Sequence, residues 1–148
     1  MRSRSRSGTV VAAMALGSII VGCGSAGTSS APSAEAPPAG SLGVSLVEWS
    51  VVPASTSAAA GTVTFDVSND GTQVHEFVVV KTDTAADALT VVDNKIDESV
   101  LTPVDEIEDI AVGATPSLTV DLAAGHYVLL CNIETHYEQG MHADFDVE

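Results

Sequence analysis

Basic residues are scarce: the 148-residue chain carries five Lys and Arg against 20 Asp and Glu, a formal net charge of −15. Phosphate contacts need clustered Lys and Arg, so nucleic-acid binding is excluded. Cysteine is scarcer still, and two residues, Cys23 and Cys131, build neither a disulfide framework nor a four-cysteine zinc site. Aromatic residues make up only 4% of the chain, yet 45% of it is hydrophobic, which supplies one small core and excludes a wholly disordered acidic chain. The apolar run Val10–Val21 rises about 18 Å as a helix, short of the roughly 30 Å of a bilayer's hydrocarbon layer.

That short run, preceded by Arg2, Arg4 and Arg6, reads as an export signal over Met1–Gly22. It ends in Ile20-Val21-Gly22-Cys23, which resembles the lipobox of bacterial lipoprotein signals and implies that Cys23 becomes a lipidated N-terminus. The alternative is an ordinary cleaved signal followed by a chance cysteine. Residues 23–40 are almost entirely Ser, Ala, Gly, Thr and Pro, a flexible tether with a reach of roughly 20–25 Å. A folded domain is expected over residues 41–148, outside the cytoplasm and held to the membrane only through the lipid. Loss of the three arginines with the leader leaves Lys81 and Lys95 against 20 carboxylates, a net of −18. Cys131 is then a lone thiol in an oxidising compartment, where exported proteins usually pair or avoid thiols.

The domain reads as strands. Val63, Phe65 and Val67 alternate with Thr62, Thr64 and Asp66, and Asn69-Asp70-Gly71 turns the chain into Gln73–Lys81, where His75, Phe77 and Val79 share a face. Ser117–Leu122, His126–Asn132 and His142–Glu148 continue the pattern, and an opening strand over Leu42–Val52 shifts its alternation at Glu48-Trp49. Between Thr82 and Thr115 the pattern changes. Asp83 or Thr84 caps a short helix through Ala85–Leu89, and a solvated acidic loop follows with Asp97, Glu98, Asp105, Glu106, Glu108 and Asp109, without the spacing of a calcium-binding EF-hand. The expected fold is all-β, a small antiparallel Greek-key β-sandwich or barrel with one long loop and short-helix excursion.

Chemistry concentrates in Cys131-Asn132-Ile133-Glu134-Thr135-His136-Tyr137-Glu138-Gln139-Gly140-Met141, with His75 on the core face of another strand. Taken singly, Cys131, His75 and Met141 are each readable as core residues. Together, two His, one Cys and one Met are the ligand set of a mononuclear copper electron-transfer site, in which a trigonal His₂Cys plane with a weak axial Met suits both Cu(I) and Cu(II). By strand parity, His126 faces away from Cys131 and His142 away from Met141, so both read as surface residues.

These motifs resemble the blue copper proteins, or cupredoxins, the class of plastocyanin, azurin and rusticyanin. The resemblance spans most of Ser41–Glu148 and is strongest in Gly125–Cys131, His136–Met141 and Asn69-Asp70-Gly71 before His75-Glu76-Phe77. It implies that His75, Cys131 and His136 are the strong copper ligands, that Met141 is the axial one, and that electrons pass through the exposed edge of His136 beside Thr135 and Tyr137. Two positions depart from the family pattern: Glu76 stands where many members have a bracing Asn, and Glu134-Thr135 where Pro-Gly often precedes the second His.

A closed site leaves no position for a substrate, and there is no His-x-His pair for the further coppers of oxidases, so the chain is not expected to be an enzyme. The expected function is a monomeric electron carrier whose acidity attracts a basic redox partner, a cytochrome or an oxidoreductase. Copper scavenging or delivery through the same ligands is the alternative, and a metal-free adhesive sandwich the third reading.

Overall fold

Apolar–polar alternation becomes strand pairing along most of residues 40–148, which are the residues that the computed structural model describes. The expected leader, the expected lipidation site Cys23 and the tether up to residue 39 lie outside them. Eleven strands are described: β1 Leu42–Val47, β2 Ser50–Pro53, β3 Ser57–Ala58, β4 Gly61–Asn69, β5 His75–Lys81, β6 Val91–Val92, β7 Lys95–Ile96, β8 Thr102–Ile110, β9 Ser117–Leu122, β10 Gly125–Leu130 and β11 His142–Val147. Among the described residues, no helix is long and apolar enough to cross a membrane.

Two sheets stack as a sandwich. One has the order β2-β1-β4-β9 and the other β3-β11-β10-β5-β8, with β6-β7 a separate ribbon. The inward residues of β4, β9 and β11 are those that alternation predicts: Val63, Phe65 and Val67, then Leu118, Val120 and Leu122, then Phe145 and Val147. Phe65 anchors the layer between the sheets, with ring centroids 5.4 Å from Phe77 and 5.5 Å from Phe145.

The sheets are mixed rather than purely antiparallel, because β1 runs parallel to β4 and β11 parallel to β3. The long connections between these partners permit a parallel return that a tight hairpin forbids. The expected single opening strand is two, β1 and β2, folded back at Glu48-Trp49 with Val47 opposite Ser50.

The excursion differs most from expectation. No helix forms over residues 85–89; the Ala88 amide donating to the Ala85 carbonyl (3.0 Å) closes a single turn. Tertiary partners take the groups that a helix would use: Asp144 Oδ1 accepts from the Ala86 amide (2.7 Å), and the Tyr137 hydroxyl donates to the Ala86 carbonyl and accepts from the Leu89 amide. Most of the acidic stretch is not a loop either: Asp97 caps a short 3-10 turn over Glu98–Val100, and Thr102–Ile110 is the edge strand β8 paired with β5. Register shifts between His75 and Phe77 and between Val79 and Val80 interrupt its alternation, and charges on an outer edge discourage pairing with other chains.

Residues 82–96 instead cover the outer face of the five-stranded sheet. Ala86, Leu89 and Ile96 pack with Val78, Val80, Val128, Leu130 and Tyr137 in a second apolar cluster. Covering both faces of β5 and β10 explains why Phe77–Val80 and Tyr127–Leu130 read as unbroken apolar runs.

Candidate metal centre

The fold gathers the ends of three strands. His75 opens β5, Cys131 directly follows β10, and Met141 directly precedes β11, with His136 on the loop between them. That loop folds on itself: the Met141 amide donates to the His136 carbonyl (3.1 Å), and the Cys131 amide to the Met141 carbonyl (3.0 Å). Met141 is thereby fixed beside Cys131, and both are fully buried in the main core.

His75, Cys131 and His136 present ligand atoms within 4.8 Å of one another, all buried. His75 Nδ1 is 3.3 Å from His136 Nδ1 and 4.0 Å from Cys131 Sγ, and His136 Nδ1 is 3.4 Å from that sulfur. A first-row ion about 2.0–2.1 Å from imidazole nitrogen and about 2.3 Å from thiolate, with angles of about 100–125° between its ligands, needs N···N of roughly 3.1–3.7 Å and N···S of roughly 3.3–3.9 Å. Two spacings fall inside those ranges and the third requires a slightly wider angle, so the donor set fits one metal ion.

The electrostatics agree. Burial pushes the Cys131 thiol up, despite amide hydrogen bonds that favour the thiolate, so a cation must displace its proton. One of those amides belongs to Glu76, 3.3 Å from Sγ. Burial first, and His75 second, lower the pKa of His136, which keeps its ring nitrogen available as a donor.

Sequence reasoning missed the residues around this set. Glu48 Oε1 lies 3.1 Å from His75 Nε2 and accepts from the amides of Thr72 and Gln73, each at 2.8 Å. The Thr72 amide is the main cause holding the Glu48 carboxyl below its ordinary range, against partial burial. Asn69, expected only as a turn residue, is buried and shapes that loop: its side-chain amide donates to the carbonyls of Gln73 and Ile110 (both 2.8 Å), and its Oδ1 accepts from Gly71. Trp49 meets the His136 ring edge-on at 5.0 Å. Tyr137, expected beside the outer edge of His136, turns into the second cluster.

Bracing of the ligand loop comes from the excursion. Asn132 Oδ1 accepts from the Ile96 amide (2.7 Å), its Nδ2 donates to the Ile96 carbonyl (3.1 Å), and the Thr135 amide donates to the Asn94 carbonyl (2.8 Å). Asp93-Asn94, with φ of 51° and 64°, turns the β6–β7 ribbon that supplies these contacts. The pair Asp-Asn between Val-Val and Lys-Ile is the signal that was available for it. The side chain of Glu76 does not brace the loop. It joins Glu98 and Glu106, their carboxylates within 4.8 Å of one another, and burial followed by these neighbours pushes it up to about 7. His126 and His142 stand outside the triad, the first bonded to Thr82 and Asp144, the second packed on Tyr137.

The model of the Sulfocyanin (SoxE) domain matches residues 51–148, well over half of the chain. The chain belongs to the sulfocyanin family. Its fold is shared with a dithionite-reduced auracyanin from the photosynthetic bacterium Roseiflexus castenholzii, at 20% identity and a TM-score of 0.56 over 73% of this chain and 96% of that one. An auracyanin B is similar at 23% identity and 0.54, over 77% and 92%. An azurin from the obligate methylotroph Methylomonas sp. strain J is similar at 15% and 0.52, over 73% and 97%. No curated protein gives a significant match. As a sulfocyanin-family member the chain is a blue copper protein with a cupredoxin β-sandwich, and its cofactor is one copper ion. The family's role is electron carriage outside the cytoplasm, generally without enzymatic activity.

Proposed function

We propose that this protein is a dedicated single-electron shuttle whose copper would be held by His75, Cys131 and His136, with Met141 as a fourth, weaker donor. The observation that carries this reading is the buried triad, whose spacings suit one ion. Copper supplies the redox couple, Cu(II) to Cu(I), by one electron. The chain's own residues do the rest. The His136 imidazole stays neutral, Cys131 gives up its proton on loading, and the Glu76 amide donates to its sulfur. A donor set fixed in advance by the β6–β7 ribbon changes little when the electron arrives, which keeps transfer fast.

His136, 6% exposed beside half-buried Trp49, is the edge through which the electron passes. The partner is a redox protein with a basic face, and the carrier works as a monomer tethered through lipidated Cys23. Burial and bracing of the ligands favour retention of copper over its delivery to another protein.

Adding Cu(II) to the purified domain tests the reading. The expected result is an intense visible thiolate-to-copper charge-transfer band that survives repeated cycles of reduction and oxidation. Cys131→Ser should bind without the band. A colourless wild-type complex would overturn the ligand assignment.

A further inference from the structure

We infer that Glu48 is a positioning residue for the copper site, a carboxylate that fixes the orientation of His75 and lowers the reduction potential. This rests on the assignment of His75 as a ligand. Glu48 lies outside the residues matched by the family model, 51–148.

A histidine that binds a metal through one nitrogen is oriented by whatever accepts the N–H of the other. His75 points Nδ1 at Cys131 and His136, and Nε2 at Glu48 Oε1, 3.1 Å away. The carboxylate cannot drift, because the same oxygen also accepts from the backbone amides of Thr72 and Gln73. His75 itself is fully buried, so no water competes for its outer nitrogen.

The surrounding chain is shaped to admit this carboxylate. A Cβ on Gly71 would lie 2.5 Å from Glu48 Oε1 and 2.8 Å from Oε2, so any other residue at 71 would displace the carboxylate. A Cβ on Gly140, whose φ of +118° already suits glycine, would lie 3.0 Å from the Trp49 carbonyl oxygen. The Glu48-Trp49 corner thus reaches both imidazoles, Glu48 by a hydrogen bond to His75 and Trp49 by packing on His136. A negative charge one imidazole away from the ion favours the more positive oxidation state, Cu(II), and the hydrogen bond makes the ring a better donor to it.

Three variants of the copper-loaded protein test the inference. Glu48→Gln keeps an acceptor oxygen and removes the charge. It should retain the visible band while the ratio of Cu(II) to Cu(I) affinity falls about tenfold, a rise of about 59 mV in the one-electron potential. Glu48→Ala removes the acceptor as well and should also weaken Cu(II) binding by roughly 10–100-fold. Gly71→Ala leaves residue 48 intact, pushes its flexible carboxylate aside, and should move the potential in the same direction. In the diamagnetic Cu(I) protein, nitrogen-15 NMR should find an exchange-protected His75 Nε2 proton, and this decides the matter if a variant fails to fold. Potentials within about 18 mV of wild type (a twofold change in the affinity ratio) and affinities within twofold in folded variants, or an unprotected proton, would sink the role of Glu48 and leave the copper assignment standing. A wild-type protein without the thiolate band removes the assignment itself, and the role of Glu48 with it.

Discussion

Met141 is proposed as the fourth donor, a role that depends on its single sulfur. It is fully buried beside Cys131, and leucine fills nearly the same volume, so Met141→Leu should cost less than about 1.5 kcal/mol of stability. A weak thioether donor would tune the potential without making the charge-transfer bond, so the variant should keep its colour while its potential rises in a redox titration. An unchanged potential would remove Met141 from the ligand set. At this scale the sequence was informative wherever identity alone carries chemistry: a thiol, two imidazoles and a thioether announce soft-metal binding before any fold is known. Glu48 announced nothing, being one of 20 acidic residues. Its meaning appears only when the fold brings it to His75, 27 positions away.

Among the elements, β4, β9 and β11 were legible because each is covered on one face, which imposes a period of two. The segment over residues 82–110 was not, because tertiary partners set its conformation: Tyr137 and Asp144 hold Ala86 and Leu89, while β5 recruits an acidic edge strand. One of these attachments is sensitive to pH. His126 Nδ1 faces the Thr82 carbonyl (2.7 Å) and Nε2 faces Asp144 Oδ1 (3.0 Å), and only the imidazolium donates through both nitrogens. Burial alone would lower its pKa, but Thr82, Asp144 and Asp146 outweigh burial and raise it above the ordinary 6.5. A histidine with a raised folded-state pKa stabilises fully below its unfolded value, and that contribution fades as pH climbs through the folded one. Hydrogen-exchange protection of the Thr82 and Ala86 amides, measured against the intrinsic rate at each pH, should therefore be greatest below about 6.5 and decline above it. His126→Gln should flatten that dependence. A wild-type profile already flat across this window would mean that the neutral ring holds the segment as well.

For the whole molecule, charge is the dominant property. Lys81 and Lys95 are the only Lys or Arg residues in the described part of the chain, and Lys81 is engaged, its Nζ donating to the Ala124 carbonyl (3.2 Å) and lying 5.3 Å from the centre of the Tyr127 ring. Unbalanced carboxylates are costly where they crowd: burial first, then Glu98, Glu108 and Asp105, raise Glu106 on the outer edge of β8. A field of this sign and size speeds encounter with a basic face through long-range attraction, and salt screens such attraction over about 10 Å at 0.1 M and about 3 Å at 1 M. The bimolecular rate of electron transfer to a Lys- and Arg-rich cytochrome, followed by stopped flow, should therefore fall steeply as salt is raised across that range. Transfer to an uncharged small-molecule oxidant should barely change, because it has no charge to be attracted. If the two reactions responded alike, the acidity would serve solubility alone, and recognition would rest on the surface around Trp49 and His136, where apolar contact is insensitive to screening.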